Sequence, residues 1–151
     1  MQKSSDFVDK ATDPLGDRAE ANGLESLSYP EQVALLVLWA DGIIGNGGFR
    51  FFYEGANNTE QVANAYQSLG CHDAVQASRD TMAIFPPEVF EKDYKACQKW
   101  LDSRYNDEEL ENLFDKQDRV IWEASDTLYD VLAEYIKTHR SDFEAVEQEI
   151  K

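Results

Sequence analysis

The sequence predicts an all-α fold, and three observations carry that expectation. A capped apolar stretch from Ser28 to Ala40 reads as a helix buried on every side. A C-terminal stretch, about 107–138, sorts apolar and acidic residues onto opposite faces at helical spacing. Between them no segment alternates apolar and polar residues as a half-buried strand would. The chain has 151 residues, of which 42% are apolar and 12% aromatic, enough for one domain with its own core. The expectation is a single globular multi-helix domain over 26–151, with a central apolar helix and a long acidic amphipathic C-terminal helix. Residues 1–25 are expected to form an N-terminal short helix or loosely docked arm. Phe7, Ala11 and Leu15 mark a helical face there, but Asp13-Pro14 interrupts it, because proline disfavours helix at the preceding residue.

The central helix starts at Ser28. In Ser28-Tyr29-Pro30-Glu31 the serine caps the first turn and the glutamate three residues on reaches back. Proline fits that turn because its missing donor would be unpaired anyway. Val33 to Ala40 follows, apolar on all faces. Five of the eight glycines fall between 42 and 55, among Phe49, Phe51, Phe52 and Tyr53. This predicts a tight turn at Gly45, Asn46, Gly47, Gly48 and Phe49, then a short aromatic helix folded back on the central one. A helix over about 59–69 follows, with Asn58 as cap and Gly70 as stop. Another covers about 72–84. Beyond Pro86-Pro87, Phe90, Tyr94, Cys97 and Leu101 recur at helical spacing.

The C-terminal helix opens with Asp107, Glu108 and Glu109, where the helix dipole favours negative charge. At 100° per residue one face carries Leu110, Phe114, Ile121, Ala124, Leu128, Val131, Leu132 and Tyr135. The opposite face carries Glu108, Glu111, Asp115, Asp118, Asp126 and Asp130, flanked by Glu123 and Glu134, with Trp122 among them. A break near Asp118 would divide it into two helices.

Net charge is −16, from 30 acidic and 14 basic residues. Such a chain is repelled by nucleic acid and by anionic membranes, so its partners are expected to be basic proteins. The acidity is uneven: residues 102–149 hold 15 acids and 5 bases, whereas 71–101 hold 5 acids and 4 bases. Cys71 and Cys97 form no CxxC pair, which with no apolar leader in residues 1–25 leads to the expectation of reduced thiols in a cytoplasm. The longest apolar run is Val33 to Ala40, short of the roughly 20 residues that span a bilayer.

The glycine turn is not a phosphate cradle. A P-loop needs Gly-Lys-Ser/Thr before its helix, and Phe49-Arg50 stands there instead. Its structural reading is positive φ and close helix approach. Asn46-Gly47-Gly48-Phe49, after an apolar helix and before an aromatic cluster, resembles the NGGF signature of a family of small bacterial helical proteins. Most of that family has no assigned function, but it includes a DNA-mimic protein that binds a transcriptional regulator in place of operator DNA. The resemblance runs from Ser28 to Phe143 and takes in Leu128, Leu132, Tyr135-Ile136 and Asp142-Phe143. Phe51 and Gly55 stand where the family often has glutamine and asparagine. The resemblance implies an all-helical binding protein with a DNA-like acidic face.

That implication meets the helix geometry. Residues three or four apart lie about 5–6 Å apart at Cβ, and DNA presents one charge per about 3.4 Å on each strand. Carboxylates on a long helix can imitate a phosphate row at lower density. The competing account is a solvated face laced with ion pairs such as Asp115–Arg119, worth only about 0–1 kcal/mol each. Catalytic signals are thin. His72 and His139 have no partner at metal-ligand spacing, so no metal or other cofactor is expected. Cys71-His72-Asp73 cannot act as a local triad, because adjacent helix residues do not face each other.

Three functions follow. The first is an acidic binding protein, a DNA mimic that occupies the nucleic-acid site of a basic regulator; a homodimer would supply two acidic helices for a regulator of palindromic sites. The second is an immunity or antitoxin protein against a basic toxin. The third, a small-ligand binder or enzyme beside the glycine turn, needs a buried polar cluster around Asp41 and Asn46.

Overall fold

The computed structural model describes residues 2–55, 58–90 and 94–143. Among these residues seven α-helices run in chain order: α1 (Gln2–Asn22), α2 (Tyr29–Gly55), α3 (Thr59–Ser68), α4 (His72–Met82), α5 (Pro87–Phe90), α6 (Tyr94–Asp102) and α7 (Glu108–Thr138). Short 3-10 turns at Leu24–Ser26 and Arg140–Asp142 complete the order. No strand occurs among the described residues. Residues 91–93, inside the helix expected to carry Phe90 to Leu101, and residues 144–151 lie outside the described set.

α2 is the hub, in contact with α1, α3, α6 and α7. Its capping box forms as the sequence dictates. The Glu31 N–H donates to Ser28 Oγ at 3.3 Å, and the Ser28 N–H donates to Glu31 Oε1 at 2.9 Å. Val33, Ala34, Leu36, Val37, Ala40 and Ile44 are buried behind it. By length and composition alone α2 meets the requirement for a membrane span, although its longest unbroken apolar run is short. Here it serves as the core helix, although it is not buried on every side as expected. Trp39 and Phe51 are exposed and Leu35 and Leu38 only partly covered, because among the described residues no other helix packs over that side.

Residues 2–22 form one long helix rather than a short helix or loose arm. α1 packs on α7 and buries Val8, Ala11 and Leu15. Pro14 sits inside it, on the exposed side. A proline in a helix interior costs about 3 kcal/mol. Burying Val8 and Leu15 contributes about 1.5–3 kcal/mol each, so tertiary packing outweighs the local break. Arg18 anchors α1 to α2 by donating to Glu31 Oε2 at 3.0 Å.

α3 ends where Gly70 permits. Its φ is 73°, and the Cys71 N–H returns to the Tyr66 carbonyl at 3.1 Å, the six-to-one bond of a Schellman ending. α4 then packs on both α3 and α7. α7 begins at Asp107, whose side chain accepts from the Leu110 N–H at 3.1 Å. It runs unbroken through Asp118 for 31 residues, a rod of about 46 Å.

Candidate partner-binding face and the α2–α7 seam

The outer surface of α7 holds most of the expected acids. Glu108, Glu111, Asp115, Glu123, Asp126, Asp130 and Glu134 are all exposed. Asp126, Asp130 and Glu134 follow one another at four-residue steps, which stacks them along the helix. The face is not laced with ion pairs. Among the described residues it carries Lys137–Glu134 at 3.6 Å, while Asp115 and Arg119 form none.

Asp118 does not belong to this face. It is 7% exposed, and its Oδ1 accepts the Phe49 N–H at 2.7 Å. It stands four residues after Phe114 and three before Ile121, both buried, so it lies on the edge of the apolar side. The carboxylate accepts from another helix rather than from its own backbone, and α7 continues through it without the expected break. Burial pushes the Asp118 carboxyl up; the Phe49 N–H opposes the shift and the nearby Asp115 adds to it.

The glycine segment turns at one residue rather than over five. Gly45, Asn46 and Gly47 stay helical and the chain bends at Gly48, with φ 77° and ψ −178°. The short aromatic helix beyond it bends back on the first half of α2, as expected, so that the Phe52 and Trp39 rings meet at 5.7 Å. That conformation is essentially restricted to glycine. A Cβ at Gly48 would also run into the Asp118 carboxylate. Gly47 is tight as well, since a Cβ there would lie 2.6 Å from the Phe51 side chain. Gly45 faces open space. The kink restarts the helix at Phe49, and its first free N–H is the one Asp118 accepts. Beyond it Phe49, Phe52 and Tyr53 pack as an aromatic block against Phe85 and Phe114. The Tyr53 hydroxyl bonds Thr81 Oγ1 of α4 at 2.6 Å.

Asp118 is one of three α7 residues that tie to α2. Trp122 Nε1 donates to the Ile44 carbonyl at 3.2 Å, and Ser125 Oγ donates to Asp41 Oδ1. Positions rise on one helix as they fall on the other, which is the signature of an antiparallel seam. The indole bond fixes Trp122 with 48% of it exposed beside the acids. Asp41 is half-buried; desolvation raises its carboxyl and the Ser125 hydroxyl partly offsets this. The Tyr66 hydroxyl, buried with no hydrogen-bond partner among the described residues, is raised first by burial and then by Asp41. Sequence reading missed Ser125 and Tyr66, since no local pattern marks a residue for a partner on another helix. Asn46 is exposed and stays outside this cluster.

Cys71, His72 and Asp73 open α4, with His72 and Asp73 exposed. Burial raises the Cys71 thiol, the opposite of what an activated nucleophile needs. Among the described residues no group of three or more His, Cys, Asp or Glu side chains could hold a metal ion.

A family model described as DMP19-like protein matches residues 25–139. The chain belongs to the DMP19-like family. The match covers α2 to α7, and so takes in the kink, the seam and the acidic face, while α1 lies outside it. No curated protein and no solved structure matches this DMP19-like chain.

Proposed function

We propose that this DMP19-like chain is an acidic binding protein, a DNA mimic that occupies the nucleic-acid-binding surface of a basic regulator in the cytoplasm. It would bind no nucleic acid itself. The observation that carries this reading is the row of seven exposed carboxylates on α7, of which, among the described residues, Glu134 alone is ion-paired although Arg119 and Lys137 share the face. A four-residue step along the helix rises about 6 Å, against about 3.4 Å per phosphate along one DNA strand. A partner built for phosphates therefore meets roughly every second charge. Two copies of the chain would present two such rows to a two-fold regulator.

The test uses a basic DNA-binding regulator recovered from the source cell at low salt. Binding should weaken steeply with salt, and the regulator's own operator DNA should compete for it. The variant Glu111→Lys, Asp115→Lys, Asp126→Lys should lose about 100-fold or more in affinity with its helical content unchanged. Asp118 is left intact because it is structural. Unchanged affinity in that variant overturns the reading. A small basic toxin held through a salt step, in place of a regulator, would replace it with toxin neutralisation.

A further inference from the structure

The apolar side of α7 is not fully covered. α4 has 11 residues against 31 in α7, and where they meet an open groove of about 720 Å³ remains. Val120, Ala124 and Val131 of α7 and Ala77 of α4 form its floor, the three α7 residues partly exposed. Asp73 and Asp80 rise on the α4 wall and Glu123 on the α7 wall, with Lys116 the one Lys or Arg among the lining residues. An apolar floor between acidic walls has no use for a phosphate reader, because DNA offers basic side chains no such floor. It suits a helix that is apolar on one stripe and basic on its flanks.

The geometry points to this groove as the seat of a basic amphipathic helix from the partner protein. The α7 wall runs from Lys116 to Val131, about 22 Å or four helical turns, which sets the length of segment it takes. Leucine or alanine side chains on the incoming stripe cover Val120, Ala124 and Val131. Lysines or arginines on the flanks reach Asp73, Asp80 and Glu123. The inference rests on the reading of this chain as a binder of basic proteins, but it uses a different surface: only Glu123 belongs to both.

Cys71 lines the groove and is partly exposed, whereas Cys97 is buried. Its thiol therefore reports occupancy. The probe is a helical peptide of about 16 residues, with leucines on one face and lysines on the other, compared with a shuffled peptide of the same composition. The full-length protein is titrated with each, followed by peptide fluorescence anisotropy and by the rate of Cys71 alkylation with N-ethylmaleimide. The amphipathic peptide should bind about tenfold or more tightly than the shuffled one and slow alkylation in proportion. Thr127→Trp, at the exposed rim, and Val131→Asp, in the floor, should each weaken it about tenfold. The Glu111, Asp115, Asp126 reversal should change it less than about threefold, since that face lies outside the groove. Equal binding of the two peptides, or unaltered Cys71 alkylation, overturns the inference. So does protection of Cys71 that grows with protein concentration alone, which would assign the groove to a second copy of the chain. Loss of regulator binding in the charge-reversal variant alone would leave the groove standing or falling on its own peptide data.

Discussion

At the first turn of α2 the buried Glu31 accepts from Ser28 and pairs with Arg18. At the kink of the same helix the buried Asp118 accepts one backbone N–H, with no cation in ion-pair range among the described residues. Both carboxylates cap a helical start. One acts from three residues away, the other from 69. Glu31 recovers in Arg18 part of the solvation it gives up. Asp118 has only a dipole in exchange, so its charged form is disfavoured. A local cap thus adds stability with little strain. The remote cap joins two helices, and the cost is a carboxylate whose charged form is less favoured there than in water.

The sharpest way to break the contrast is at Gly48. Gly48→Ala should cost about 3 kcal/mol or more, because alanine resists that φ and its Cβ strikes the Asp118 carboxylate. Denaturant titration measures it, and a loss under about 1 kcal/mol would mean the kink relaxes easily.

Next comes Asp118 itself. Asp118→Ala should cost about 1–3 kcal/mol by leaving the Phe49 N–H unpaired, and Asp118→Asn should recover part of that through its amide oxygen. The two also separate in pH. Asp118 holds its proton more tightly folded than unfolded, so its contribution is greatest below the ordinary aspartate range. That contribution is lost as pH rises from about 4 through the higher folded value. Melting temperature measured from pH 7 down to 4 should therefore climb less steeply in Asp118→Asn than in the parent. Parallel profiles would show that Asp118 carries no such penalty.

At the other end of α2, Glu31→Ala should cost about 1–2 kcal/mol, through loss of the reciprocal cap and of a pair whose arginine is partly solvated. Its thermal shift should exceed that of Glu31→Gln, which keeps the reach-back oxygen. The smallest effect, of opposite sign, belongs to Gly45→Ala. That position is helical and open, and alanine there should stabilise by about 0.5–1 kcal/mol. A destabilised Gly45→Ala would extend the strained region beyond Gly48.

These positions also mark where the sequence was legible. Ser28-x-x-Glu31 and Asp107 can be read because each cap lies within one turn of its donor. The buried side of α7 can be read because its period is set by the helix alone. Asp118 was placed among the exposed acids because a projection puts it at a boundary, and only the position of α2 decides which side it takes. The cluster of glycines locates the bend that brings Phe52 back to Trp39, but not which glycine makes it: Gly48 alone leaves helical geometry, beside an Asp118 that comes from another helix. Pro14 hid the length of α1, since the packing that overrides it comes from α7, far along the chain.

The distance between Phe49 and Asp118 also orders events in a chain made from its N-terminus. α2 leaves the ribosome well before residue 118 has been joined. Until α7 is synthesised, the aromatic block begins on an N–H that no protein group meets, at a glycine free to adopt many backbone states. The first half of α2 carries its own cap and can form at once. The second half gains this acceptor only once α7 is in place, so a helix translated well after α2 completes the middle of the molecule.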